Sequence, residues 1–152
     1  MVKWSDLSEA SRASSSSYDY VDFEDRPWVT PPPPEERRVA VVSSAGIHAA
    51  GDKPVAWNGH DWRSFPREQV DFHLSHISVN FDRTGFMRDR NLYLPFDRLD
   101  ELVAQGSLGS VAPTHYSFMG GSEAPEQFIP HAETVAAAMK AEGVNTVVLA
   151  PV

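Results

Sequence analysis

The stretch RRVAVVSS, at residues 37–44, decides the fold of this protein. Its apolar part, residues 39–42, is short, continuous and rich in β-branched side chains. Such a run is typical of a strand that is buried on both faces of a parallel sheet. A second stretch, VNTVVLAPV at residues 144–152, has the same character and follows a helical pattern. This order of elements predicts an α/β domain with a mainly parallel sheet.

A second type of strand is predicted by HLSHISVNF at residues 73–81. From His76 onwards polar and apolar residues alternate, which is the period of a strand with two different faces. His76, Ser78 and Asn80 then point to one side, so this strand is expected to present a polar stripe.

Two helices are predicted from apolar residues at helical spacing. In PFDRLDELVAQG, residues 95–106, Asp97 or the residues just before it can cap the helix, and Gly106 ends it. The second helix is predicted at residues 131–141, with Gly143 as its stop.

The remaining stretches of the domain contain glycines and polar clusters, which favour loops. The predicted loops and turns are AGIHAAGDKP (residues 45–54), HDWR (60–63) and SLGSVAPTHYSFMGG (107–121). The expected architecture is a three-layer, Rossmann-like sandwich of flanking helices and sheet, incomplete at its C-terminus.

The first 36 residues differ in composition from the rest of the chain. They contain a serine run, an acidic and aromatic stretch (YDYVDFED) and the polyproline spacer TPPPP. We expect residues 1–36 to be a flexible arm, and residues 37–152 to be the α/β domain.

Composition excludes several classes of protein. The net charge of −8 argues against general nucleic-acid binding. No apolar run approaches the length of a membrane span, and the N-terminus lacks the apolar core of a signal peptide, so a cytoplasmic location is expected. The absence of cysteine excludes disulfides, thiolate metal sites and thiol catalysis within these residues.

Ligands of open parallel sheets bind beyond the carboxyl ends of the strands. The first predicted strand is followed by Ser43, Ser44, Gly46 and His48, and the second by Asn80, Asp82, Arg83 and Thr84. The backbone of SSAGIH can cradle an anion, but the dinucleotide-binding and P-loop glycine patterns are both absent.

Two hydrolase hypotheses remain open from the residues alone. A metal-dependent hydrolase would use His76, Asp82, Asp89 and His115, whose side chains are possible metal ligands once the fold brings them together. A serine hydrolase built on Ser117 and His115 lacks the G-x-S-x-G pattern, so nothing in the sequence selects it.

Several stretches taken together resemble a known family. They include RVAVVSSAGIH, HLSHISVNFD, DRNLYLPFDRLDELVAQGSLGSVAPTHYSFMGG and MKAEGVNTVVLAPV, and the resemblance covers residues 37–152 in order. The family is selenoprotein B of the glycine, sarcosine, betaine and D-proline reductases, and the B-type subunits of D-proline reductase are the most similar.

The resemblance implies reductive cleavage of a C–N bond in a small amino acid or amine, with a dithiol as electron donor. In the family a selenocysteine or cysteine follows a strand like VVLAPV, so the nucleophile and a second cysteine are expected beyond Val152, for example after a UGA codon read as stop. This chain alone would then be inactive and would carry no cofactor. A partner reductase subunit, which can carry a pyruvoyl group, is also implied. The alternative is a non-catalytic binding or partner subunit of the same fold.

The resemblance also assigns roles to individual residues. His76 and His115 are expected to act in catalysis. No residue is expected to bind a metal. The residues expected to bind substrate are Ser43, Ser44, Gly46, Asn80, Asp82, Asp89, Asn91, Arg98 and Tyr116.

Overall fold

The computed structural model describes residues 3–17, 29–56, 59–69, 71–76, 83–120 and 125–152. Helices and strands are both present in this part of the chain. In chain order they are α1 (Glu9–Ser16), β1 (Arg38–Ser43), β2 (Ile47–Ala49), β3 (Trp62–Pro66), β4 (Phe72–Leu74), α2 (Thr84–Arg88), α3 (Phe96–Ala104), β5 (Ser110–Val111), β6 (Thr114–Phe118), α4 (Ile129–Ala141) and β7 (Thr146–Ala150).

The main sheet is built around β1. On one side β1 pairs in parallel with β5 at its start and with β6 at its end. On the other side it pairs in parallel with β7 along most of its length. Strand β3 runs antiparallel to β6 and forms one edge. The predicted α/β class with a mainly parallel sheet is confirmed.

The sheet has one helix on each face because β1 is apolar on both. Val39 and Val41 pack with Leu99 of α3 in one apolar cluster. Ala40 packs with Met139 of α4 in a second cluster on the opposite face. Successive strand residues point to opposite faces, so a continuous apolar run serves both helices. The prediction of flanking helices is therefore confirmed.

Helix α3 lies within the predicted range, but its cap differs from the prediction. Neither Asp97 nor the N-cap residue Pro95 caps it with its side chain. Instead, the Asn91 side chain accepts a hydrogen bond from the Asp97 N–H at 3.1 Å. Asn91 lies six residues before Asp97, whereas the prediction considered only Asp97 and the residues just before it.

Helix α4 and strand β7 follow the prediction closely. The helix begins two residues earlier than predicted, at Ile129, and Gly143 ends it with a φ of 75°. Strand β7, however, was expected to be buried, and it lies at the edge of the sheet. Its Leu149 side chain is 73% exposed.

The polar strand predicted at residues 73–81 is confirmed at His73 and Leu74, but not at Ser75 and His76. Strand β4 ends at Leu74, and His76 follows it outside any strand. Strand β4 pairs antiparallel with β2 in a separate two-stranded sheet. Strand β2 itself was predicted to be a loop, because its three residues are too few for a periodic signal. Residues 77–82, including Ser78 and Asn80, lie outside the described residues.

Two more predicted loops are strands of the main sheet. HDWR was predicted to be a turn, but Trp62 begins β3, whose alternation is masked by polar and proline residues. The long loop at residues 107–121 contains β5 and β6. In β6, His115 and Ser117 are fully buried, and backbone N–H groups elsewhere in the domain donate to His115 Nδ1 and Ser117 Oγ.

Helix α1 lies in the N-terminal region. Ser8 caps α1 by accepting a hydrogen bond from the Ser11 N–H at 3.1 Å, and no α1 residue is buried. The boundary between arm and domain stays a prediction. Among the described residues, no helix has the length and apolarity needed to cross a membrane.

Candidate functional site at the carboxyl edge of the sheet

The carboxyl ends of β1, β6 and β7 meet around Ser44. Its N–H donates to the Ala150 carbonyl at 3.2 Å, and its carbonyl accepts from the Gly120 N–H at 2.9 Å. A Cβ on Gly120 would lie 3.1 Å from the Cβ of Ser44, so a side chain at this position would be crowded against Ser44. One serine thus joins three strand ends.

The Ser44 hydroxyl also holds the residue that follows β7. Its Oγ accepts a hydrogen bond from the Val152 N–H at 2.9 Å and donates to the Val152 main-chain oxygen at 3.4 Å. The main chain at Val152 is therefore fixed against the end of β1, at the edge where parallel sheets bind ligands.

Gly46 positions the segment that carries His76. It has a φ of 64°, and a Cβ there would lie 2.9 Å from Cε of Met119 and 3.3 Å from the backbone nitrogen of His76. Its carbonyl accepts from the Ser75 N–H at 3.0 Å, and its N–H donates to the Phe118 carbonyl at 2.9 Å. Because both the conformation and the space require glycine, this position brings the loop after β4 onto the strand ends.

His76 is buried at this edge, with 6% of its surface exposed. Burial lowers its pKa, and the Arg83 guanidinium lowers it further, while a hydrogen bond with the Val152 backbone raises it. The net shift is downward from 6.5, so the ring is neutral at pH 7. A neutral imidazole beside a guanidinium can exchange a proton with a small anionic ligand bound there.

Arg83 was not among the predicted site residues, although its charge acts on His76. It follows the stretch that was predicted to be a polar strand. Its position directly after Asp82 was a signal available in the sequence.

The serine predicted beside Ser44 has a structural role. The Ser43 side chain is fully buried, and its carbonyl accepts a hydrogen bond from the Ser117 hydroxyl at 2.8 Å. Ser117 Oγ in turn accepts from the Ile47 N–H at 2.9 Å. These bonds tie β6 to β1 and β2, and a substrate-binding role for Ser43 stays a prediction.

His115 lies in the apolar core on the α3 face. Its Nδ1 accepts a hydrogen bond from the Val41 N–H at 3.0 Å. Its ring centroid lies 4.4 Å from that of Phe96 and 6.4 Å from that of Phe65. Burial, with a further contribution from the Arg67 guanidinium, lowers the pKa of His115 to about 4. A neutral ring completing the hydrogen bonds of β1 is a packing role, and the predicted catalytic role stays untested.

The predicted site residues Asp89 and Asn91 form a network at the start of α3. Asp89 Oδ1 accepts hydrogen bonds from the backbone and side-chain nitrogens of Asn91, each at 2.9 Å. The Asn91 amide and the Arg90 guanidinium donate to Asp97 at 2.9 and 3.0 Å, and these two hydrogen bonds lower the Asp97 pKa. The motif D-x-N…P-x-D therefore fastens the loop before α3 to the helix.

Arg98 and Tyr116 make contacts with other parts of the domain. Arg98 forms an exposed ion pair with Glu101 at 2.8 Å. Tyr116 is buried on the α4 face, where its ring lies 5.7 Å from that of Trp62. Burial raises the pKa of Tyr116, and the Glu142 carboxylate adds to this. Substrate binding by Arg98 or Tyr116 stays a prediction.

Asn80 and Asp82 lie outside the described residues. Within the described ranges, no three histidine, aspartate or glutamate side chains form a group that could hold a metal ion. The histidines of β2 and β4 instead interact in pairs: His48 stacks on His73 at 5.5 Å, and its Nδ1 lies 2.9 Å from Ser75 Oγ.

Of the predicted site residues, the structure therefore brings together Ser44, Gly46 and His76. Arg83 and the backbone of Val152 complete this group, which we call the carboxyl-edge site. The site brings together a neutral imidazole, a hydroxyl bonded to the Val152 main chain and the charge of a guanidinium.

Comparison with known proteins identifies the family. The profile of glycine/sarcosine/betaine reductase selenoprotein B matches residues 33–152. The D-proline reductase subunit gamma of Acetoanaerobium sticklandii is 30% identical over 115 residues, which cover 73% of this chain and 47% of that protein. The chain thus spans about half the length of this relative, and no solved structure is significantly similar to it. Because the family profile covers well over half of its residues, the chain belongs to the glycine/sarcosine/betaine reductase selenoprotein B family.

Proposed function

We propose that this protein is a subunit of a reductase complex that cleaves a C–N bond of a small amino acid or amine. The observation that carries the proposal is the convergence of Ser44 and His76 on the Val152 main chain, in a chain of this family. The similar protein from Acetoanaerobium sticklandii is named as a D-proline reductase subunit, which supports the same reaction class.

The reaction balances with a dithiol as reductant. The C–N bond breaks, the carbon and the nitrogen each gain a hydrogen, and the dithiol loses two electrons and two protons to become a disulfide. A selenol or thiol nucleophile serves this chemistry because it reacts in its ionised form. These 152 residues contain no cysteine, so we place the selenocysteine or cysteine in the part of the subunit that follows Val152.

The carboxyl-edge site supplies what such a nucleophile needs. Ser44 fixes the main chain that leads to it. Neutral His76 moves a proton between the reductant and the leaving nitrogen. Arg83, whose charge already acts on His76, provides a cation for the carboxylate of an amino-acid substrate. A pyruvoyl group on a partner subunit stays a prediction, since it would lie outside this chain.

A second candidate is a non-catalytic subunit that binds the same ligands or a partner reductase subunit. The absence of cysteine from these residues favours it. It differs from the first candidate in one observable property, because its complete coding sequence carries no selenocysteine or cysteine after the VVLAPV strand.

The first test is the coding DNA beyond codon 152, read together with activity. We expect an in-frame UGA or cysteine codon, and a reductase that consumes D-proline, glycine, sarcosine or betaine with dithiothreitol when the complete subunit and its partner are combined. A stop codon other than UGA, followed by no homologous sequence, would reject the catalytic proposal in favour of the binding subunit.

Variants of the complete subunit then test the roles of the two side chains. We expect His76→Gln to lower kcat about 100-fold with little change in KM. Arg83→Met should mainly raise KM, by about 10-fold or more, for a substrate with a carboxylate. The matched controls are His73→Gln and Arg88→Met, which alter exposed residues on β4 and α2. Equal effects of site and control variants would contradict the assignment.

A further inference from the structure

An apolar groove runs between α4 and the main sheet, on the face opposite α3. Its volume is about 750 Å³, and its lining is almost wholly apolar. The groove lining includes Val42, Tyr116, Val135, Met139, Val147 and Leu149. A groove of this size and composition on a protein surface marks an interaction site.

The groove continues onto an open strand edge. Strand β7 pairs with β1 on one side, and no strand in the described part of the chain pairs with its other side. Val147 and Leu149 are 42% and 73% exposed. A strand edge with unpaired backbone groups can pair with another strand, and a row of exposed apolar side chains beside it can pack against a further element.

The handedness of the existing crossover connections determines on which face a helix leading to a further strand beyond β7 would lie. From β1 the chain moves across the sheet to β5 with α3 on one face, and from β6 it moves back to β7 with α4 on the other. Right-handed crossovers require this switch of faces when the direction changes. A further parallel strand beyond β7 continues in the second direction, so its connecting helix lies beside α4. That helix would cover Val147 and Leu149.

A second copy of this chain fits the surface less well. Two β7 edges would pair antiparallel about a two-fold axis perpendicular to the sheet. Both Leu149 side chains would then lie on the same face, side by side, under no covering helix. The edge would be paired, but the groove would remain open in both copies.

The length of the relative points to the occupant. The alignment with the D-proline reductase subunit gamma covers 47% of that protein, so a subunit of that length is longer than these 152 residues. We propose that the β7 edge and the groove are the docking surface for a helix-and-strand unit from this remaining polypeptide of the family subunit. An amphipathic helix packs over Leu149 beside α4, and a parallel strand pairs with β7. The inference rests on the proposed function only in taking the subunit to be longer than these 152 residues.

Binding in trans tests the docking surface. The probe is the polypeptide encoded after codon 152, made as a separate chain with every selenocysteine or cysteine changed to serine. Mixed with the 152-residue chain, it should form a 1:1 complex in sedimentation and calorimetry. Leu149→Glu should weaken the complex by about 100-fold or more, because it places a charge in an apolar contact.

The matched control is Leu102→Glu, on α3. Leu102 is 41% exposed on the opposite face of the sheet, and this variant should bind the probe like the unaltered chain. Circular dichroism of both variants shows whether the chain itself stays folded, which the exposure of both sites leads us to expect.

Four outcomes overturn the proposal: no continuation is encoded, the probe does not bind, Leu149→Glu binds as tightly as the unaltered chain, or the chain forms a Leu149-dependent dimer that excludes the probe. The serine probe keeps this test separate from catalysis. A complex that depends on Leu149, together with an inactive native subunit, would reject the reductase function and leave the docking surface standing. Activity without Leu149-dependent binding would do the reverse.

Discussion

The two faces of the main sheet are packed very differently, although the same strands supply both. On the α3 face Ile47 and Leu94 are fully buried, and the rings of Phe96 and His115 pack at a tilt within the core. On the α4 face Leu149 is 73% exposed beside an open groove. The apolar content of a strand therefore does not tell which face is closed. The α3 face holds the domain together, and the α4 face remains available for packing.

The largest expected difference between the faces is in the cost of truncating a leucine. Leu94→Ala should lower the free energy of unfolding by about 2–5 kcal/mol, because it leaves a cavity in a closed core. Leu149→Ala should change it by less than about 0.5 kcal/mol. Urea denaturation of the 152-residue chain measures both values. Similar losses for the two variants would show that the α4 face is also closed in solution.

Acid should weaken the α3 face next. His115 has a pKa of about 4 in the folded protein and 6.5 ordinarily, so the unfolded chain binds its proton more readily. Stability contributed by the neutral ring is complete above pH 6.5 and is lost as the pH falls towards 4. The shift corresponds to roughly 3 kcal/mol across this range.

Urea denaturation at several pH values checks this expectation. The pH dependence should shrink in His115→Asn, whose side-chain oxygen can still accept from the Val41 N–H. It should persist in His131→Gln, which alters a half-buried histidine on α4. If His115→Asn keeps the full pH dependence, the acid sensitivity arises elsewhere.

The smallest expected effect concerns the attachment of α3 itself. Asn91→Ala removes the acceptor of the Asp97 N–H and the amide that joins Asp97 to Asp89, and should cost about 1 kcal/mol. Arg98→Ala removes only an exposed ion pair with Glu101 and should cost less than about 0.5 kcal/mol. Thermal denaturation compares the two. A larger loss for Arg98→Ala would contradict the structural role of the D-x-N motif.

Local patterns in the sequence predict the elements that pack on both sides of β1. The β-branched run in β1 and the helical spacing in α3 and α4 are signals within short windows. The glycine stop at Gly143 is equally local, since it needs only a positive φ after the helix. These elements were predicted to within two residues at each end.

Strand β6 was missed because its signal is not local. Its polar residues, Thr114, His115 and Ser117, are typical of a loop. In the fold His115 and Ser117 accept hydrogen bonds from Val41 and Ile47, which lie 74 and 70 residues away. Burial of a polar side chain depends on such distant partners, and no single-sequence window contains them.

The candidate site divides in the same way. The strand-end rule led to Ser44 and Gly46, and the family resemblance added His76, which the structure brings beside them. The resemblance also selected Asp89 and Asn91, whose contacts in the structure serve the helix start. Motif matching finds residues that a family keeps together, but it does not separate a group that holds the loop from one that faces a ligand.

The central position of β1 leaves it without strand partners for part of its synthesis on the ribosome. All the partners of β1 in the sheet come later in the chain, and the bond between Val41 and His115 alone spans 74 residues. At a synthesis rate of about 5–20 residues per second, roughly 4–15 s pass between the synthesis of Val41 and that of His115. During that interval an apolar, β-prone segment is unpaired on the nascent chain, which is an aggregation hazard. In the finished domain β1 has strand partners on both sides. During translation it has neither, so we expect a chaperone to protect this segment until its partners are made.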